Sequence, residues 1–426
     1  MFPDSIGSNQ SDLSSGRERV SVMPGLPAKI SRDGFTLVEL LIVMGIFITV
    51  LIMTSAAFNT VLTNTGKQLK SAETQIEGIV GLELFRSDLQ QAGYGLPRGY
   101  TDSRWLFPSG TITYDECASW TSMGEINPGS LNDAPTGIPR AVMSINDAGV
   151  NGSDYLVIKS MVSGVNDAAK KWTYLSYSSS GGRRKQWGNT NDLVTGDRVV
   201  VIKSSFLNKI NYKQLVVNGS NYFTTVPASR GLFPAEFSPH SSTDTYLVYG
   251  VATNSVSSLR MPFNRTDYFV SRSGTVPASC APNSGVLYKA MVNHGDGRHS
   301  LIPLLDCVVS LQAVYSLDSN GDGVVDSHAD ASFGTPGAQG ALPTDPTLDL
   351  LWNQLREIRV YILAQDGKKD SGYADSNNAA YPGQTITVGE FGMGREVNMR
   401  TTIGVSWNQY RWKVYNIVVE PKSLTQ

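Results

Sequence analysis

The stretch DSNGDGVVD sets oxygen-bearing side chains in alternation. Asp318, Asn320, Asp322 and Asp326 stand at loop positions one, three, five and nine, with Gly323 at six. A tight turn with that spacing converges carboxylate and amide oxygens on a hard cation, and the carbonyl of Val324 adds one more ligand. Calcium is the expected ion. The loop departs from the EF-hand pattern at its end, where position twelve is Ala329 and Asp330 falls one residue late. Modest affinity follows, which suffices at extracellular calcium levels. The alternative is a polar Gly-rich hairpin, since Asn, Asp and Gly are also ordinary turn residues. Such a turn does not need four oxygen side chains in alternation.

A second carboxylate stands out by its isolation. Glu39 is the lone charge in the apolar run from Phe35 to Phe58. Elsewhere the chemistry is thinner. His294 and His299 in NHGDGRH could ligate a metal, but a solvated loop is the preferred reading, and His240 and His328 have no companions at ligand spacing. GGRRK (Gly181 to Lys185) reads as solvated surface, with contact to DNA or lipid as the alternative. No G-x-S-x-G elbow, phosphate-binding Gly loop or H-E-x-x-H occurs, so the sequence gives no reason to expect an enzyme.

The elements that carry these groups follow from composition and periodicity. The 426 residues have a formal net charge of -2, so no global basic field points to nucleic acid, and no nucleic-acid partner is expected. With 41 glycines and 20 prolines, short strands and loops are favoured over a helical bundle. The segment from Phe35 to Phe58 is long enough to cross ~30 Å of hydrocarbon as a helix. It exceeds a cleaved signal's apolar core and has no small-residue processing site after it. Lys29 and Arg32 precede it, which keeps its N-terminal end cytoplasmic and places the rest of the chain beyond the inner membrane.

Gly34-Phe35-Thr36-Leu37-Val38-Glu39, with a short basic segment before it and an apolar run after it, resembles the processing signal of type IV prepilins. The resemblance implies that a prepilin peptidase cuts after Gly34, that Phe35 is N-methylated, and that the apolar segment stays on the mature chain. It also implies a role for Glu39 in assembly: its carboxylate meets the new amino terminus of a neighbouring subunit, a pairing favoured in a low-dielectric fibre core. Residues 1–34 form the leader on this reading. Because that is long for the family and Asp33 is acidic, Met23 is the expected start, giving the leader MPGLPAKISRDG.

The helix is expected to continue past the membrane. Leu62, Leu69 and Ile76 recur every seven residues, and Val80, Leu84 and Leu89 extend the stripe. Gly93, Gly95 and Pro97 supply stop signals. Gly66, Gly78 and Gly81 weaken the helix, so a bend or melted turn is expected there. From Phe35 to Ala92 it would reach roughly 85 Å. The remainder reads as strands: SDYLVIKSMV, GDRVVVIKS, DTYLVYGVA, GVLYKAMV, CVVSLQAVYSL, REIRVYILAQ, REVNMRTTIGVS and YRWKVYNIVVE. In the sixth, Ile358, Val360, Ile362 and Ala364 share one face. The expected fold is α+β, a long N-terminal helix with a transmembrane first half (35–58), packed on an antiparallel β-rich head. The helix occupies 35–95, a loop-rich β subdomain or insertion 96–256, and the sheet head with the calcium loop 318–330 occupies 257–426.

LELFRSDLQQAGYGL, LQAVYSLDSNGDGVVD, LREIRVYILA and YRWKVYNIVVE narrow the resemblance to PilW-type minor pilins, over the N-terminal helix and from Leu301 to the C-terminus. Residues 99–300 show no such likeness. The resemblance implies a minor pilin at or near the pilus tip that helps start assembly. Its partners would be the prepilin peptidase, other minor pilins, the major pilin and the inner-membrane assembly platform. It implies a single-pass bacterial inner-membrane protein with a periplasmic head that later joins the fibre. A J-type minor pseudopilin of type II secretion and a membrane-anchored adhesin are the alternatives. The three cysteines match no metal spacing, and in an oxidising compartment one disulfide and one leftover thiol is the simplest account. Cys280 and Cys307 are the expected pair, leaving Cys117.

Overall fold

The computed structural model describes residues 34–97, 99–100, 115–117, 126–132, 139–188, 190–207, 210–228, 231–330, 354–373 and 384–423. The leader up to Asp33, and with it the question of Met23, lies outside the described residues. The chain divides into two compact units, Met1–Thr63 and Asn64–Gln426. One helix, α1 (Leu37–Gln90), contributes to both. In the first unit its segment Leu37–Leu62 has a mean hydropathy of 2.6 and no buried residue, so it is long and apolar enough to cross a membrane.

In the second unit, α1 packs through Gly78, Gly81, Leu82, Phe85 and Leu89, while Val80 and Leu84 face outward. The expected stripe therefore holds at Leu89 but not at Val80 or Leu84. The glycines explain the choice of face. A Cβ on Gly81 would lie 2.1 Å from the Leu304 carbonyl oxygen, and one on Gly78 would lie 2.9 Å from Leu305 Cδ1. These positions let the helix approach the sheet backbone more closely than any side chain permits. No turn melts there: the helix runs through both glycines and ends before Gly93 and Gly95, whose φ values of 78° and 72° suit glycine.

The helix packs on a large sheet of eight strands among the described residues. These are β2 (Val142–Ile145), β3 (Tyr155–Ser160), β10 (Asn264–Ser271), β11 (Gly285–Val292), β12 (His299–Leu317), β13 (Ser327–Ala329), β14 (Leu355–Asp366) and β17 (Arg411–Val419). Their order is β17-β14-β12-β11-β10-β3-β2 with β13 on β12, and every pairing is antiparallel. A smaller sheet holds β1 (Gly99–Tyr100), β4 (Trp172–Ser176), β5 (Arg183–Arg184), β6 (Arg198–Leu207), β7 (Ile210–Leu215), β8 (Thr224–Thr225) and β9 (Thr245–Ala252), ordered β1-β7-β6-β9-β4-β5 with β8 on β6. A hairpin of β15 (Thr385–Val388) and β16 (Arg395–Asn398) is separate from both. Strand pairing crosses the sequence division at Val256, because β3 pairs with β10 from Leu156↔Tyr268 to Ser160↔Asn264.

Ile358, Val360, Ile362 and Ala364 sit with Leu82, Phe85 and Leu89 in one core, which also takes Val200, Ile202, Tyr249 and Val251 from the smaller sheet. Tyr361 and Leu363 on the opposite face are also buried, under Ile386, Val397, Trp407 and Trp412. Both faces of the sheet are thus covered, so β10 and β11 are buried along their whole length. Two local readings change. REVNMRTTIGVS ends as a strand at Asn398, whose side chain caps a short helix, α2 (Met399–Thr402), by accepting from Thr401 N at 3.1 Å. NRTDYFVS, which reads poorly as a strand because of its charges, is β10, fully buried.

Candidate functional site

Gly34 and Phe35 are exposed ahead of α1, and a Cβ on Gly34 would meet nothing within 4 Å. Among the described residues no contact requires glycine there. Thr36 and Glu39 close the helix N-terminus reciprocally. Glu39 N donates to Thr36 Oγ1 at 3.3 Å, while Thr36 N and Oγ1 donate to Glu39 Oε2 at 3.0 and 2.9 Å. This is a capping box, in which each residue satisfies a backbone donor the helix leaves open. The signal was present as Thr-x-x-Glu before an apolar run, and it supplies a local role for Glu39 that the isolation of its charge alone does not suggest.

The Asp318–Asp330 loop follows β12. Gly321 and Gly323 take positive φ values of 79° and 91°, wrapping the backbone round Asp318. The Asp318 carboxylate is enclosed. It accepts from the amides of Gly321 (2.6 Å), Asp322 (3.2 Å) and Gly323 (2.8 Å). Arg356 from β14 donates to its Oδ2 through Nε at 3.1 Å and Nη2 at 2.6 Å. The Arg356 hydrogen bonds foremost hold the Asp318 carboxyl below the usual carboxylate range. Asp326 accepts from Ser319 N and Oγ at 2.9 and 2.8 Å. Asp322 accepts from Asn320 Nδ2 at 3.2 Å and from Val324 N at 2.8 Å. Asp330 lies apart from this set, accepting from Asn146 Nδ2 at 3.3 Å. Among the described residues no three His, Cys, Asp or Glu side chains converge closely enough to hold a metal as they stand. The loop is built on oxygen donors, but its first ligand position is met by a guanidinium.

The model of the family described as Type IV Pilus-assembly protein W matches residues 267–420, a span that runs from within β10 to the end of β17. Over that span the chain is PilW-like. The PilW match associates it with type IV pilus assembly and so with pilus-related protein partners, and the apolar segment of α1 is a candidate membrane anchor in keeping with that. Comparison with curated proteins and comparison with solved structures each give no match.

Within the PilW span, Cys280 and Cys307 form a disulfide with Cα atoms 5.0 Å apart. Cys307 has a φ of 56° at the bend where β12 leaves β11 for β14, and the bridge ties that bend to the turn before β11. Closing a loop of sequence separation 27 is worth about 3.5 kcal/mol in the chain-entropy account.

The PilW span also contributes Asp267 and His299 to a buried charge network. On the sheet face away from α1, Arg265 binds Asp267 through Nε (2.8 Å) and Nη2 (2.9 Å) and reaches Glu116 (3.1 Å). Glu116 also pairs with Lys159 at 2.7 Å, and all four side chains are fully enclosed. Tyr155 donates to Asp267 Oδ2 at 2.7 Å, and His299 Nε2 lies 3.2 Å from the same oxygen. Complete burial opposes ionisation of Asp267, but Arg265 and the His299 hydrogen bond hold its carboxyl well below the usual range. Arg265 further binds Asn132 (2.6 Å) and the Pro128 carbonyl (2.9 Å), so the network fastens the segments 115–117 and 126–132 onto β3 and β10.

His294 and His299 are therefore not solvated loop residues. Burial pushes His294 down to about 4, and His299 faces Asp267 on one side and Cys117 Sγ, 3.8 Å from Nδ1, on the other. A Cys-His-Asp order is that of a thiol nucleophile and its base. Burial instead pushes the Cys117 thiol up to about 12, so it stays protonated and enclosed. The sequence signal for this network was Arg265 and Asp267 two apart on one strand face, opposite charges inside an apolar run.

Proposed function

We propose that this chain is a minor pilin of the type IV pilus, cut after Gly34, N-methylated at Phe35, and used at or near the tip to help initiate assembly. The observation that carries the reading is the order of parts in one chain: an exposed Gly34-Phe35 junction, a capped apolar helix, and a head whose residues 267–420 match PilW. Since no contact among the described residues excludes a side chain at position 34, the glycine is accounted for by the pocket of a peptidase that accepts none. On this reading Glu39 leaves part of its capping role when a neighbouring subunit brings a Phe35 amino group, and the paired charges then hold register between helices. The head acts as a structural and docking body, without a catalytic role. Replacing Gly34 with Leu should leave the uncut precursor in the inner membrane. Normal mature mass in that variant would sink the proposal.

Calcium binding by the Asp318 loop belongs to the same reading. Asp318, Asn320, Asp322, Asp326 and the Val324 carbonyl are the oxygen donors the ion would take, with Asp330 outside the set. Arg356 is its competitor: a cation entering the loop displaces the guanidinium from Asp318 Oδ2.

A further inference from the structure

In the smaller sheet, β4 alternates in burial, with Thr173 and Leu175 inward on one face and Trp172 and Tyr174 on the other. That second face is the one Tyr249 uses to enter the main core, since Trp172 pairs with Tyr249 across the ladder. β4 lies next to the sheet edge, where β5 is two residues long. There Trp172 and Tyr174 are 40% and 39% exposed.

Trp187, 41% exposed, is brought against them by a fastened loop. Its Nε1 donates to the Trp172 carbonyl at 3.0 Å. The amides of Trp187 and Gly188 donate to Asp192 at 2.6 and 3.0 Å, and Thr173 Oγ1 donates to the Lys185 carbonyl at 2.6 Å. The Trp187 ring stands edge-on to Trp172 at 5.5 Å and to Tyr174 at 6.1 Å, with interplanar angles of 61° and 71°. Beside them opens a cleft of about 460 Å³ lined by Lys170, Lys171, Trp172, Trp187 and Asn191. That volume falls within the roughly 300–1,000 Å³ of small-ligand sites.

Rigid aromatic walls held in water are a standing cost unless something covers them. The charges at the cleft say what. Lys170 and Lys171 line it, and of the nearby carboxylates Asp192 is occupied by backbone amides, while Asp197, buried and bonded to Val194 N, lies close to both Lys171 and Asp167. A cationic guest is repelled by the two ammonium groups. A nucleic-acid strand needs a basic track along many phosphates. Here Arg184 is turned inward to the Leu193 carbonyl, and the chain as a whole carries -2. A pyranose ring offers a face of C–H bonds, positively polarised, to the electron-rich face of an indole, and a carboxylate on that ring answers the lysines.

We propose that this cleft binds an acidic glycan, a uronate-bearing saccharide stacked on Trp187 and Trp172 with its carboxylate on Lys170 and Lys171. The cleft lies outside the PilW span, so the assignment stands apart from the assembly reading, and binding can be measured without pili. The test is calorimetry and tryptophan fluorescence on the full chain, solubilised in a detergent that carries no sugar, titrated with tetragalacturonate. Its methyl ester and an oligothymidylate are the comparison probes. The acid should bind better than the ester, and added salt should narrow the difference. Trp187→Ala should weaken binding at least tenfold. Lys170→Gln with Lys171→Gln, which leaves the aromatic walls intact, should reduce the acid to the level of the ester. No response to the uronate at millimolar concentration overturns the proposal. So does unchanged binding in either variant, or tighter binding of the oligothymidylate, which would make the cleft a nucleic-acid site.

Discussion

Gly81 and Leu304 meet backbone to backbone: a Cβ on the glycine would stand 2.1 Å from the leucine carbonyl oxygen. Leu304 is the unpaired residue at a register shift between Pro303 and Leu305, which are both held in the ladder with β11, so its carbonyl has little room to retreat. Gly81→Ala should therefore destabilise the fragment Asn64–Gln426 by about 1–3 kcal/mol through overpacking, outweighing the gain of up to about 1 kcal/mol in helix propensity. Gly66→Ala, where a Cβ meets nothing within 4 Å and the fragment has barely begun, should leave stability unchanged within about 0.5 kcal/mol. Denaturant unfolding should separate the two variants, and equal shifts would refute the close-approach account.

Glu39 has two roles that one pair of substitutions separates. Glutamine serves the capping box as well as glutamate but carries no charge. If assembly uses the charge, Glu39→Gln and Glu39→Ala should both be cut normally and both fail to enter the fibre. If only the cap matters, the Gln variant should assemble and the Ala variant, short of a cap worth about 1 kcal/mol, should be impaired. Pilus counts and mature mass decide between them.

The Arg356–Asp318 pair sets the expectation for calcium. The fragment Asn64–Gln426 should melt higher in millimolar calcium than in chelator, by an amount equivalent to about 2.7 kcal/mol at roughly a hundredfold excess over Kd. Magnesium, which demands tighter octahedral geometry, should substitute poorly. Arg356→Ala should enlarge the difference by leaving Asp318 without its counter-charge, and Asp318→Ala with Asp322→Ala should abolish it. Equal melting in calcium and chelator for both the parent and Arg356→Ala would return the loop to an ordinary turn.

Two buried groups give the head opposing pH responses. Asp154, which accepts from Ala313 N at 2.7 Å and Asp147 N at 3.0 Å, is pushed up to about 7, chiefly by burial and further by the Asp147 and Asp330 charges. Its folded pKa lies above the unfolded value, so its contribution is present at low pH and is lost as pH rises from about 4 to about 7. His294 is pushed down to about 4, so the unfolded chain binds the extra proton, and its contribution is lost as pH falls from about 6.5 to about 4. The slopes, each at most about 1.4 kcal/mol per pH unit, oppose each other between pH 4 and 6.5. Asp154→Asn should therefore make stability rise with pH across that window, and His294→Gln should make it fall. Parallel profiles for both variants would show that these groups do not control the response.

The apolar run after Gly34, the helix beyond it, its glycine stop and the late strands were legible because each is a local pattern. Apolar residues at period 3.6 or 2 report the face an element must bury, whatever it packs on. The PilW likeness was legible as a local pattern too. Which face of α1 is buried was not, because Val80 and Leu84 look as apolar as Leu82 and Phe85. Only the close approach of β12 to Gly78 and Gly81 selects between them. β10 was hidden because Arg265 and Asp267 break its alternation, and their charges are tolerable only with Glu116, Lys159 and His299 brought in from distant sequence. The same holds for the aromatic cleft and for Arg356 on Asp318. Pairing across long sequence separations is decided by strand register, and no local periodicity carries that information.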